Sequence, residues 1–151
     1  MHLRIATQDD LTDLLHFEQA VVEAERPFNK HIKEKKATYY DLPSLINDIN
    51  SQLLVLEEKG EIIATGYIQI RPSKKSLSHQ EHGYLGFMFV LPEYRGRGFN
   101  RLVMDALIGW GKAQGIDVFY LDVYAENQAA INAYKKLGFE PSLVEMKLEC
   151  A

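Results

Sequence analysis

The architecture turns on Val90-Leu91-Pro92-Glu93-Tyr94-Arg95-Gly96-Arg97-Gly98-Phe99-Asn100. An apolar run ends at Pro92, and a turn carrying two glycines opens onto a helix. Phe99, Leu102, Val103, Ala106, Leu107 and Trp110 recur at helical spacing, the strongest such pattern in the chain. The run before the turn, Tyr84 to Val90, is apolar on both alternating faces, as expected of a central strand covered on both sides. Two glycines let the backbone approach a ligand closely. The first helical N–H groups have no partner within the helix, and the helix dipole adds positive charge. Such a terminus suits a phosphate or pyrophosphate, and Arg95 and Arg97 bring two cations to it. The pattern is not GxxxxGK[ST], and no ribose-binding acid follows at dinucleotide-fold spacing, since Asp122 lies within an apolar run.

Upstream, Leu3-Arg4-Ile5-Ala6 suits a short strand, with Thr7 as N-cap of a helix over about 8–25 that Pro27 stops. Asp41 and Pro43 open a second helix. Residues 53–56 and 61–70 flank Lys59-Gly60 and read as a β-hairpin, followed by a polar loop from Pro72 to His82. Downstream, Val118 to Tyr124 reads as a strand and Glu126 to Leu137 as a helix closed by Gly138. Ala130, Ile131, Tyr134 and Leu137 form the inner face of that helix. Leu143, Val144, Met146 and Leu148 suggest a last strand. These elements predict an α/β (α+β) chain with a mixed, mostly antiparallel sheet of about 6–7 strands and helices on both faces.

The chain has 151 residues, enough for one domain. Hydrophobic residues make up 46% and charged residues 25%, which excludes a disordered chain. No apolar run reaches the ~20 residues that span a bilayer, and no secretory signal is visible, so no membrane role and a cytoplasmic location are expected. Seventeen basic against 21 acidic residues leave a formal charge of −4, which argues against nucleic-acid binding. A single cysteine, Cys150, allows no intrachain disulfide. His79 and His82 read as solvent-facing loop residues, and no metal site is expected.

The second informative segment runs from Glu126 to Phe139. With the first, it resembles the GNAT superfamily of N-acetyltransferases. The family's acetyl-CoA signature, [Q/R]-x-x-G-x-[G/A], is similar to Arg95-Gly96-Arg97-Gly98-Phe99-Asn100, with Asn100 where the signature prefers Gly or Ala. The downstream N-x-x-A-x-x-x-Y-x-x-x-G-F pattern runs from Asn127 to Phe139. The likeness covers essentially the whole chain and implies a single domain over 1–151.

The resemblance implies a sheet splayed between two central strands, 84–90 and 117–124, with acetyl-CoA bound in the fork. Backbone groups of Met88, Phe89 and Val90 are then expected to pair with the pantetheine arm, and one N–H to stabilise the oxyanion. The pyrophosphate is expected on the amides from Arg95 to Asn100, with Gly96, Arg97, Gly98 and Phe99 between them. Asn127 either bonds the cofactor's arm or serves only its helix. Tyr134 is the expected acid for the departing thiolate, the alternative being a core tyrosine bonded to backbone. For the base, Tyr84 occupies the position where many members carry Glu. Asp122 lies on the face of Tyr120 and Tyr124, where a buried carboxylate would suit a base. Glu81, His82 or a water chain are alternatives. An acceptor pocket is expected from Glu23, Glu25, Arg26, Phe28, Tyr39 and Tyr40, with Pro141 to Val144. Cys150 suggests no covalent route. The expectation is therefore an acetyl-CoA-dependent acyltransferase acting on a primary amine, with a homodimer possible. A non-catalytic acyl-CoA-binding module and a nucleotide-binding α/β domain are the other readings.

Overall fold

A computed structural model describes residues 1–151. Its sheet has five strands in sequential order: β1 (His2–Ile5), β2 (Ser51–Glu58), β3 (Glu61–Pro72), β4 (Glu81–Val90) and β5 (Phe119–Tyr120). The first three pairings are antiparallel and β4–β5 is parallel. The helices are α1 (Leu11–Glu25), α2 (Leu42–Asn47), α3 (Phe99–Ala113) and α4 (Gln128–Lys136).

Local chemistry sets most boundaries. A 3-10 turn over Gln8–Asp10 precedes α1, and the Asp10 carboxylate accepts the Thr7 N–H at 2.8 Å. Arg4 closes a bidentate pair on Asp10 at 2.8 and 2.9 Å, tying β1 to this turn. Pro27 lies just beyond α1, in a 3-10 turn over Arg26–Phe28. The Asp41 side chain accepts the Ser44 N–H and starts α2. Lys59 and Gly60 both have positive φ, 51° and 79°, as a two-residue hairpin turn requires.

Alternation along β2 to β4 splits the core in two. Leu53, Val55, Tyr67, Phe87 and Phe89 meet Leu14, Phe17, Leu42 and Leu45 from α1 and α2. Leu54, Leu56, Ile63, Ile68, Leu85 and Val90 meet Val103, Met104 and Leu107 from α3. The expected helices on both faces are therefore present.

Two expectations are corrected. The sheet has five strands, not six or seven, because residues 139–151 form none. The strand expected over 117–124 is reduced to Phe119–Tyr120. Its continuation has no ladder neighbour: β4 diverges on one side, and nothing pairs on the other.

Candidate functional site

The fork begins inside β4. Gly83 and Tyr84 pair with Phe119 and Tyr120, and the ladder then stops. Along β3 the register slips between Thr65 and Tyr67, so Phe87 and Met88 together oppose Gly66. This is a β-bulge, and Phe87 takes φ +55° to make it. Such a φ is costly for a bulky side chain and is held here by burial among Phe89, Tyr40 and Tyr67. Gly66 lies opposite the bulge, where a Cβ would displace the Met88 sulfur. The bulge bends β4, and beyond it β4 has no pairing with β5.

Ladder parity decides which peptide groups face the gap. Leu91 N–H donates to Ile63 O at 2.9 Å, and Ala64 opposes Val90 while Thr65 opposes Phe89. In an antiparallel ladder, Phe89 then bonds towards β3 and Val90 turns its peptide groups the other way. Arg95 Nε agrees, donating to Val90 O at 2.8 Å. The expectation that Phe89's backbone is open to a ligand is thus corrected, since β3 uses it. Val90 N–H faces the fork, and Met88 stands in the bulge.

At the mouth of the fork, Gly96 and Gly98 have φ of 78° and 82°, and a Cβ on either would meet nothing within 4 Å. Both are therefore glycine for backbone conformation and face open space. Gly98 caps α3 in the left-handed region, and no side chain satisfies the free amides of that helix start. Arg95 lies 5.6 Å over the Phe89 ring and Arg97 5.2 Å over Tyr94. Arg95 is thus partly committed to the strand end, while Arg97 makes no hydrogen bond or ion pair. Open glycines, free amides and two cations fit a pyrophosphate-bearing group.

Asn127 caps α4, its Oδ1 accepting Ala130 N–H at 3.2 Å, so its helix role is present. Its amide nitrogen has no partner in the chain. Tyr134, on the same helix, is half-buried with its ring edge-on to Phe139. Its hydroxyl makes no hydrogen bond. Burial, and then the Glu25 carboxylate, push the Tyr134 hydroxyl above the ordinary tyrosine range, so it holds its proton.

Tyr84 and Asp122 meet across the fork, the Tyr84 hydroxyl donating to Asp122 Oδ2 at 2.9 Å. The Arg71 guanidinium sits 3.9 Å over the Tyr84 ring. Burial and then Asp122 raise Tyr84. Asp122 itself is exposed, which corrects the expectation of a buried carboxylate there, because the strand meant to enclose it ends at Tyr120.

The side of the expected acceptor pocket is aromatic. Tyr40 packs on Phe87 and Tyr67, Tyr39 lies edge-on to Tyr40, and Phe28 stacks on Tyr124 at 6.1 Å. Asn29 Nδ2 donates to the Tyr124 hydroxyl at 3.0 Å. The Tyr39 hydroxyl is buried with no hydrogen-bond partner, and burial and Glu25 raise it. Glu25 also raises Tyr40, after burial and Tyr67. One carboxylate therefore acts on three phenols, two of which, Tyr39 and Tyr40, were expected in the same pocket.

Other expected pocket residues serve structure. Glu23 pairs with Arg26 at 2.9 Å, and Arg26 holds the carbonyls of Lys33 and Glu34. Pro141 to Val144 is exposed and outside any helix or strand. Sequence reasoning missed Glu18, which is 1% exposed and accepts the N–H groups of Tyr39 and Tyr40 at 2.8 Å each. Its position on the apolar face of α1 was the available signal. His79 and His82 are also not plain solvent-facing residues. Both bond Ser73 Oγ, and His79 reaches the Tyr120 hydroxyl at 3.1 Å. Burial, then His79 and Arg71, lower His82 and favour its neutral form.

The model of the acetyltransferase (GNAT) family matches residues 17–139. An uncharacterized N-acetyltransferase of Methanocaldococcus jannaschii is 31% identical over 140 residues, covering 91% of this chain and 60% of that protein. The chain thus spans about 60% of that relative's length. A mutant of a Bacillus halodurans protein superposes with a TM-score of 0.89 at 26% identity, over 100% of both chains. A Clostridium acetobutylicum protein described as a predicted acetyltransferase, solved with acetyl-CoA, superposes with a TM-score of 0.76 at 24% identity, over 98% of this chain and 95% of its own.

Proposed function

The chain belongs to the acetyltransferase (GNAT) family, and from that premise we propose that it transfers the acetyl group of acetyl-CoA to a primary amine, by direct attack in a ternary complex. The observation that carries this reading is the fork, where β4 and β5 share two residue pairs and then part beside a helix start with unfilled amides. Acetyl-CoA supplies an activated thioester there. The amides from Arg95 to Asn100, with Arg97 and the free end of Arg95, hold the pyrophosphate. The outward peptide groups of Val90 and the spare amide of Asn127 hold the amide-bearing arm, and Val90 N–H lies on the side where the carbonyl oxygen gains charge.

Aromatic faces and one carboxylate favour a cationic acceptor. Glu25 attracts the ammonium form, with Tyr39, Tyr40 and Tyr124 around it. The amine must lose a proton before it attacks, and Asp122, linked to Tyr84, and Glu25 are the carboxylates in reach of the fork's two walls. As nitrogen bonds to the acetyl carbon and the carbon–sulfur bond breaks, the Tyr134 hydroxyl gives its proton to the sulfur. Location in the cytoplasm accords with this reading.

Release of CoA thiol, measured with a panel of alkyl and aryl amines, tests it. Release that depends on both acetyl-CoA and one class of amine is expected. Tight acetyl-CoA binding with no release on any amine would instead favour a binding module. Binding of ATP or NAD in place of CoA would overturn both.

A further inference from the structure

What holds β5 decides where the chain beyond it goes. Its backbone contributes little: the ladder covers only Phe119 and Tyr120, and Gly83 N–H donates to Val118 O at 3.0 Å. Side chains grip it from both faces. On the α3 side the Phe119 ring fills a slot beside Gly83 and Gly111, where a Cβ would come within 2.9 and 2.7 Å of it. On the other face Tyr120 meets two histidines. His79 Nε2 lies 3.1 Å from the Tyr120 hydroxyl, and the His82 ring stands edge-on to the Tyr120 ring, with centroids 4.9 Å apart. Ser73 Oγ joins the histidines, 2.7 Å from His79 Nδ1 and 2.9 Å from His82 Nδ1. The proposed acetyl transfer uses none of these three residues.

A serine hydroxyl has one hydrogen to give. Of the two Nδ1 atoms it bridges, one is therefore bare and accepts from it, while the other carries hydrogen and donates to it. This set survives one added proton. His79, as the cation, donates from Nδ1 to Ser73 and from Nε2 to Tyr120, and bare His82 Nδ1 accepts from Ser73. A second proton breaks it. Both Nδ1–H groups then point at Ser73 Oγ, whose hydrogen loses its acceptor, and two cations stand with ring centroids 6.2 Å apart. Arg71, opposite His82 in the β3–β4 ladder, adds a third positive charge. Burial, then His79 and Arg71, lower His82 and oppose that second proton. Glu81 and Asp117, the other charged groups beside His79, are exposed along the outer depression it lines.

We propose that Ser73, His79 and His82 form a titratable clamp on Tyr120, which fixes the base of the fork and thereby places Asp122 against Tyr84. Tyr120 pairs with Tyr84 in the ladder, and Asp122 follows two residues on, on the same face, where it accepts the Tyr84 hydroxyl at 2.9 Å. No ladder bond holds Asp122 itself, so its placement is inherited from Tyr120. Ser73, His79 and His82 are positioning residues, since they act on the fork through Tyr120. The clamp is whole at neutral pH. It is lost as pH falls below the ordinary histidine value of about 6.5 and the pair takes its second proton. The use made of Asp122 rests on the acetyl-transfer reading; the clamp does not.

Nitrogen NMR of the histidine rings in the full chain, followed through pH, tests the clamp without turnover. At neutral pH one of His79 and His82 should carry hydrogen on Nδ1 and the other should not, and the pair should titrate in two separate steps. Ser73→Ala should release the fixed tautomers, and Ser73→Thr, which keeps the hydroxyl, should retain them. The Asp122 carboxyl carbon signal should move with the second step in wild type and stay still in Tyr120→Phe, where the charges are kept and the link is cut. Rings that titrate together as free histidines do, or an Asp122 signal that moves equally in both proteins, overturn the proposal. In turnover, Tyr120→Phe and Ser73→Ala should each lower kcat/KM for the amine by about three- to tenfold at neutral pH, the worth of one hydrogen bond. They should also remove the wild-type fall below about pH 6.5 and leave the Kd of acetyl-CoA unchanged, and Ser73→Thr should restore the wild-type profile. An unaltered profile in both variants overturns the positioning role. Linked histidines and a responsive Asp122 in a chain that releases no CoA thiol with any amine would uphold the clamp and refute the acetyl-transfer reading alone.

Discussion

The first 116 residues and the last 35 are built on different terms. Every fully buried residue lies at or before Ile116. Up to that point each apolar row has an opposing row: β2 to β4 are covered by α1 and α2 on one side and α3 on the other. After it the chain contributes two residues of strand, an amphipathic helix with no buried residue and an exposed tail. Yet the second region carries Tyr134, Asn127 and Asp122, which belong to the proposed site. A well-packed body thus holds the turn proposed for the pyrophosphate, and a lightly packed arm carries the proposed acid. Lightly packed segments open at lower free energy than core strands do, which suits an element that must admit and release ligands.

This contrast can be broken at several points. Tyr134→Phe should lower kcat by about 10²–10⁴-fold, the usual worth of a general acid, while acetyl-CoA affinity in calorimetry stays near wild type. Retained turnover would reduce the arm to scaffolding. Because burial and Glu25 raise the Tyr134 hydroxyl, the alkaline fall of kcat should lie above the ordinary tyrosine value of about 10, and Glu25→Gln should move it down. Leu107→Ala, at a fully buried position in α3, should cost about 2–5 kcal/mol in urea unfolding. Leu137→Ala, partly buried on α4, should cost clearly less. Equal losses would erase the distinction between the two regions.

Gly98→Asp adds bulk and negative charge at a φ that disfavours it and should abolish acetyl-CoA binding without unfolding the chain. Native affinity in this variant would remove the phosphate assignment. The smallest expected effect lies in the first region. Arg4 and the Thr7 N–H hold the Asp10 carboxyl below its usual range. A lowered value in the folded state means that the pair stabilises the fold above the unfolded carboxylate value of about 4 and loses this as pH falls through the folded value. Asp10→Asn should therefore cost about 1–3 kcal/mol at neutral pH, with the difference from wild type shrinking in acid unfolding.

Much of this was legible beforehand, for reasons that differ by element. The Thr7–Asp10 start of α1, the Asp41 cap, the Lys59-Gly60 turn and the Gly98 opening of α3 are each set by a few neighbouring residues. Glu25, Glu18 and the Tyr84–Asp122 bond were less legible or hidden. Each depends on chain segments far apart in sequence meeting: Glu18 with Tyr39 and Tyr40, Tyr84 with a residue 38 positions on. The roles of Asn127 and Arg95 stayed open because one side chain can serve its own helix or strand and still keep donors spare.

Periodicity and turn chemistry were sufficient for the order of strands and helices, the two-sided sheet and the position of the glycine-bearing turn before α3, because those depend on interactions between near neighbours and on which face of an element is apolar. The direction in which Val90 turns its peptide groups, the bulge at Phe87 beyond the end of the β4–β5 ladder, and the absence of a strand over residues 142–149 came only from the folded chain. Strand pairing is a contest among distant edges. An alternating apolar row states that a segment needs a partner, and only the spatial arrangement shows whether one is within reach.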